Sequence, residues 1–206
     1  KKWFALGFAI IAAILLLLLP DSPKKQYFHH QGNIFGTYYN IRYEGKEDLH
    51  QEIKQRLQEV DGSLSMFNPN SVISKINRND SVITDSLFET MFFEAHAISE
   101  LSDGAFDITV APLVHAWGFG KNTDLSNEAK SLLANKARID SINAFVGYEH
   151  VRLVNHHIEK DDERITLDAS AIAKGYACDV VANLLRNNGC NNLLVDIGGE
   201  VALQGV

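Results

Sequence analysis

Residues 166–203 read TLDASAIAKGYACDVVANLLRNNGCNNLLVDIGGEVAL, and this stretch decides the fold class. Ile172, Ala173, Tyr176, Val180, Val181, Leu184 and Leu185 recur at helical spacing, which predicts a helix over 170–188 with one buried side. Gly189 follows where a left-handed C-terminal cap is expected. Leu193 to Ile197 is a short apolar run of strand character. Gly198-Gly199 ends it, and Glu200 to Leu203 reads as a further strand.

Working outward, residues from Gly32 to Tyr43 alternate, with aromatic and β-branched side chains dense enough to predict a strand. Leu49, Ile53, Leu57, Val60 and Leu64 then mark one face of an amphipathic helix beginning near Glu47. Ser86-x-x-Glu89 reads as a capping box. It opens a second helix whose apolar face is Phe88, Met91, Phe92, Ala95, Ile98 and Leu101. Residues 124–138 suggest a weaker third helix. Val151–Val154 and Glu163–Leu167 suggest a β-hairpin turning at Lys160-Asp161-Asp162. Strands and helices mix without strict βαβ alternation, so the class is α+β. The last strand ends with the chain and has no closing element, which predicts the N-terminal part of a longer protein.

The sequence has 206 residues, enough for one domain with a substantial core. Beyond residue 25 it carries 15 basic and 25 acidic residues, with no basic stripe, which argues against a nucleic-acid partner. A hydrophobic content of 46% with only 4 Pro excludes a largely disordered chain. Cys178 and Cys190 form no CxxC pattern and read as free thiols.

Trp3 to Leu19 holds no charge and follows Lys1 and Lys2. At about 1.5 Å per residue it is near the short limit for a membrane span. No small-residue cleavage site follows, so residues 1–20 favour an uncleaved signal anchor over a cleaved signal peptide, with a buried core helix as the third reading. The flanking lysines place the body on the far side of the membrane. Residues 21–31, with His29-His30, read as a solvated linker, and the domain proper begins at residue 32.

Four glycine-punctuated segments carry candidate chemistry. In FGTYYN, beginning at Phe35, Gly36 permits close backbone approach, although a strand bulge explains it equally. In the segment from Asp61 to Asn77, an aromatic among Ser and Asn suits a flat ligand; a capped turn is the plainer alternative. From Ser102 to Gly120, Asp107 stands between apolar residues at the mouth of a strand-like run and must be paired, hydrogen-bonded to a ligand or near a metal, while His115 reads as a surface or packed histidine in preference to a metal ligand. From Thr166 to Ala177 a strand hands over to a helix start, with Lys174 one turn in. That suits phosphate, and Asp168 either caps the helix or binds a ligand. Asp196-Ile197-Gly198-Gly199-Glu200 is a related loop. No GxGxxG, GxSxG, HExxH or P-loop signature is present.

SDGAFDITVAPLVHAWGFG, LDASAIAKGYACD and LLVDIGGE, in that order, closely resemble the ApbE family of flavin transferases; FGTYYNIRY and LSMFNPNSVISKIN fit the same family. The resemblance covers roughly residues 32–206. It implies a T-fold-like mixed sheet packed with helices, FAD as substrate and Mg²⁺ as cofactor. The reaction implied is transfer of FMN to a Thr or Ser of a target protein, with release of AMP. The implied partners are flavin-accepting subunits of membrane electron-transfer complexes, with the enzyme at the inner membrane and its body on the periplasmic side. Residue by residue, Phe35 matches a flavin-contacting position that is often Met. Phe67 matches the aromatic over the isoalloxazine, commonly Tyr. Ala105, Phe106 and Asp107 match the FAD-contacting triplet, and Asp168 and Lys174 match further FAD contacts. Ala171 matches a metal-ligand position, which an alanine can fill only through its carbonyl. The family's other metal ligands, an Asp and a nearby Thr, Ser or Ala, lie in a region beyond this sequence. The competing readings are an FAD pyrophosphatase and a non-catalytic flavin-binding protein.

Overall fold

Phe35 and Gly36 both take positive φ, 52° and 71°, the backbone of a two-residue turn whose twist matches paired strands. The run expected as one strand is therefore folded into a hairpin of β1 (Gln26–Ile34) and β2 (Thr37–Gly45). The computed structural model describes residues 25–119 and 135–205. The membrane segment expected over 1–20, the start of the linker and most of the helix expected over 124–138 lie outside the described residues. Within them, no helix is long and apolar enough to cross a membrane. Residues 26–31, expected as linker, belong to β1 instead. As an outer strand it is largely exposed, so it lacks the apolar alternation that marks an inner one.

β2 pairs antiparallel with β5 (Leu193–Ile197), and β5 with β6 (Glu200–Gln204), giving the order β1-β2-β5-β6. The sheet is antiparallel throughout rather than mixed. Register sets Tyr39 opposite Ile197, Ile41 opposite Val195 and Tyr43 opposite Leu193, and all six side chains are buried on one face. The core is completed by α1 (His50–Leu64), through Ile53, Leu57, Val60 and Leu64, and α6 (Ala173–Asn187), through Ala177, Cys178, Val181, Ala182 and Leu185. Gly189 has φ 75° and closes α6 as expected. Cys178 and Cys190 are buried free thiols; burial pushes the Cys178 thiol up to about 11.

Between α1 and α6 come α2 (Val72–Asn77), α3 (Ser86–Leu101), a 3₁₀ turn (Ile108–Val110), α4 (Ala111–Ala116) and α5 (Lys136–Asn143). The cap of α3 is Asp85, one residue earlier than the expected Ser86: its carboxylate accepts from Phe88 N at 2.8 Å. The buried face is Phe88, Met91, Phe92, Ala95 and Ser99, while Ile98 and Leu101 are exposed. The small hairpin is β3 (Val151–Val154) with β4 (His157–Lys160). It turns at Asn155 and His156, both with positive φ, rather than at Lys160-Asp161-Asp162. An Asn-His turn lacks the glycine that usually advertises this geometry.

His29 and His30 belong to β1 and are both hydrogen-bonded, although His29 stays exposed. His29 meets Asn40 Oδ1 at 2.7 Å; His30 meets Asp48 Oδ1 at 2.8 Å and His50 Nδ1 at 2.7 Å. Behind them Tyr43 is fully buried; its hydroxyl accepts from Leu49 N at 2.6 Å and donates to Asp48 at 3.3 Å. Burial, chiefly, pushes the Tyr43 phenol up to about 12. A raised acid keeps its proton longer folded than unfolded. Its stabilisation is thus whole below pH ~10 and lost as pH climbs through the folded value, a loss of up to about 3 kcal/mol. Urea unfolding at pH 10 and 12 should show this loss in the native protein. Tyr43→Phe should abolish it while leaving the buried Leu49 N–H unpaired, at a cost of about 1–3 kcal/mol at neutral pH.

Candidate functional site

Ser71 is buried and caps α2: its Oγ accepts from Ser74 N at 3.1 Å and donates to Ser65 O at 2.8 Å. Side chains organise the preceding loop. Phe67 N donates to Ser65 Oγ at 3.3 Å, Asn68 Nδ2 to Asp61 Oδ2 at 2.8 Å and Asn70 N to Asn68 Oδ1 at 3.0 Å. With its backbone fixed this way, Phe67 leaves its ring 66% exposed. The capped-turn reading of this segment and the aromatic-platform reading are both satisfied by one loop.

The run after Asp107 is helical, not strand-like. Asp107 itself caps the 3₁₀ turn, and Pro112 sits in the first turn of α4, where its missing N–H costs nothing. Asp107 Oδ1 accepts from Thr109 N and Thr109 Oγ1, each at 2.7 Å, and Oδ2 accepts from Tyr148 N at 2.8 Å. Thr109 Oγ1 in turn accepts from Gly147 N at 2.7 Å. The partners that this carboxylate required are therefore Thr109 and the Tyr148 N–H.

The third wall is the segment before α6. Asp168 N donates to Ile108 O at 2.6 Å, tying it to the 3₁₀ turn. Asp168 Oδ1 accepts from Ser170 N at 2.7 Å, so this carboxylate closes a local turn and does not cap the helix. The α6 N-cap is Ile172, with no side-chain cap, and the helix begins three residues later than expected. Among the described residues no hydrogen bond ends on the Ala171 carbonyl.

These walls enclose a cavity of about 1090 Å³, at the upper end for small-molecule sites. Of the residues predicted from sequence, it brings together Phe67, Ala105, Phe106, Asp107, Asp168 and Ala171. Phe35 and Lys174 are not on its wall. Phe35 sits in the β1–β2 turn, packed against the core, and Lys174 lies half-buried in the first turn of α6. The glycine loop 198–199 joins Phe35's end of the sheet. Gly198 N donates to Tyr38 O at 3.0 Å, and a Cβ on Gly198 would lie 2.8 Å from Thr37 Cγ2, so only glycine fits. His115 lines the cavity rim and is exposed. Asn77, Val110 and Val114, which fall within the segments singled out from sequence without being picked individually, also line the cavity, as does Arg78, which lies outside them.

A family model described as the ApbE family matches residues 35–206. The chain belongs to the ApbE family. Among ApbE relatives, the FAD:protein FMN transferase of Vibrio cholerae is 35% identical over 208 residues, covering 95% of this chain and 60% of the relative. That of Escherichia coli K12 is 28% identical over 217 residues, covering 96% and 60%. The chain thus spans about 60% of the length of these relatives. The solved flavin transferase ApbE from Vibrio cholerae superposes with a TM-score of 0.78 at 32% identity, over 88% of this chain and 60% of that one. The apo flavinyl transferase ApbE of Pseudomonas stutzeri gives a TM-score of 0.78 at 26% identity, over 88% and 62%. The ApbE assignment and the α+β architecture agree, and the solved ApbE structures share this arrangement of sheet and helices.

Proposed function

We propose that the protein cleaves FAD and passes FMN to a Thr or Ser hydroxyl of a target protein. The acceptor oxygen forms a bond to the FMN phosphorus, the P–O bond to AMP breaks, and the hydroxyl proton is released. The observation that carries this reading is the shape of the cavity within an ApbE chain. A bare aromatic face at Phe67 and, on a separate wall, the turn at Asp168–Ala171 that leads into α6 line the same cavity. Flat ring and diphosphate need those two surfaces respectively. Asp168 keeps one oxygen clear of protein donors among the described residues and faces the cavity, so it can receive a ligand hydroxyl.

Mg²⁺ dependence belongs to the same proposal. The Ala171 carbonyl is a hard oxygen of the kind Mg²⁺ prefers, yet it is a single donor. Among the described residues no three His, Cys, Asp or Glu side chains are grouped to hold a metal. The Ala171 carbonyl would hold one edge of the ion, which would neutralise diphosphate charge when bound. The protein's own residues bind and orient the flavin. The targets, in this reading, are flavin-accepting subunits of membrane electron-transfer complexes, reached from the periplasmic side by a membrane-tethered enzyme.

Incubation with FAD, Mg²⁺ and an acceptor polypeptide carrying an exposed threonine tests the reading. Covalent flavin fluorescence on the acceptor, with equimolar AMP, is expected. AMP with no labelled acceptor would replace transfer by hydrolysis, and FAD left intact would defeat both.

A further inference from the structure

The C-terminal end of α2 reaches both ends of the cavity. Asn77 Nδ2 donates to Leu167 O at 2.8 Å and Asn77 Oδ1 accepts from Leu167 N at 2.7 Å. This reciprocal pair fixes the amide orientation and imitates a strand partner for a buried backbone. The next residue points the other way: Arg78 Nη1 donates to Pro69 O at 2.8 Å, two residues beyond Phe67. Asp80 steadies the guanidinium from behind, accepting from Nε at 3.1 Å and from Nη2 at 2.7 Å. The helix end is itself braced by Lys160, whose Nζ donates to Ile76 O at 2.8 Å, Asn79 Oδ1 at 2.6 Å and Ile165 O at 3.0 Å.

We propose that Asn77 and Arg78 form a two-armed strut that sets the distance between the flavin-ring platform at Phe67 and the diphosphate wall at Asp168–Ala171. Both are positioning residues, and the assignment rests on the FAD reading above. Leu167 is followed directly by Asp168, so any slip of the Asn77 pair is transmitted to the wall one residue later. The Arg78 arm holds the short loop whose other end carries the ring. Each end has other ties, Asn68 Nδ2 to Asp61 Oδ2 at 2.8 Å beside Phe67 and Asp168 N to Ile108 O at 2.6 Å, but Asn77 and Arg78 are adjacent residues and so join one end to the other. A displacement of about 1 Å at either end is enough to spoil alignment of a ligand that bridges both.

The arms predict separable defects. Riboflavin probes the ring end and ADP with Mg²⁺ probes the diphosphate end. Asn77→Asp keeps the acceptor for Leu167 N but sets a second oxygen against Leu167 O. It should weaken ADP at least tenfold and riboflavin less than threefold. Arg78→Gln should do the reverse. Equal weakening of both probes by either variant, or no weakening, would overturn the strut, because a purely structural defect has no reason to choose between ligand halves. Hydrogen exchange of the Leu167 amide gives a readout that needs no ligand. Asn77→Ala should speed it at least tenfold while the α6 core amides keep their protection, and unchanged exchange at Leu167 would also overturn the proposal. If the native protein takes up neither probe while the Leu167 result holds, the FAD reading fails and the brace between the two walls stands.

Discussion

Asp107→Ala is expected to lower stability by about 3 kcal/mol and thermal unfolding by about 10 °C, the largest structural effect of any substitution in the cavity wall. Three donors converge on this carboxylate: Thr109 N, Thr109 Oγ1 and Tyr148 N. Bonds to a charged acceptor contribute about 1.5–3 kcal/mol each when protected from water. Asp107 is half-buried, so water recovers part of the loss. The bonds also link the 3₁₀ turn to residues 147–148 across a long sequence gap, so the damage is not local. Asp107→Asn should be nearly as harmful, because its amide nitrogen would face a donor whichever way it turned. Circular dichroism against temperature decides the matter. A shift below 2 °C for the alanine variant would mean that the carboxylate is free for ligand rather than holding the loop. FAD binding should fall in the same variants, since Phe106 and Val110 are positioned by the same turn.

Long-range chemistry of this sort is what the sequence conceals. The sheet's inner strands and the helices that cover them were legible, because burial on one face leaves its period in the sequence: Ile53, Leu57, Val60 and Leu64 on α1, Val181 and Leu185 on α6. β1 was not, because an outer strand exposed along much of its length can be polar, and its histidines looked like linker. The glycine signals at Gly189 and Gly198-Gly199 were found, but Gly36 suggested a close approach or a strand bulge rather than a turn; the Asn155-His156 turn was missed because two non-glycine residues hold the left-handed backbone. In the cavity, the Asp107 motif pointed correctly to a carboxylate in need of partners, but Tyr148 lies 41 residues away and no local pattern announces it. Asn77 meets Leu167 across 90 residues. The resemblance to flavin transferases supplied six residues that do share the cavity wall, and two, Phe35 and Lys174, that stand off it. Those two belong to a hairpin turn and a helix start, whose local geometry is set by their own elements.

Phe67→Ala should separate binding from stability in the opposite sense to Asp107→Ala. The ring is 66% exposed, so its removal uncovers no core and should move the unfolding free energy by no more than about 0.5 kcal/mol. Its backbone stays in place, because the loop is held by Ser65, Asn68 and Arg78 rather than by the ring. The exposed face is therefore available to a ligand at no reorganisation cost. Stacking of a heteroaromatic base on such a ring contributes about 1–3 kcal/mol, a loss of roughly ten- to a hundredfold in affinity when the ring is removed. Phe67→Tyr preserves the face and adds a hydroxyl, so its affinity should match or exceed that of the native protein. Quenching of flavin fluorescence in a titration of FAD with each variant measures all three. An alanine variant that binds FAD as the native protein does would move the ring site away from Phe67, and with it the long axis of the ligand in this cavity.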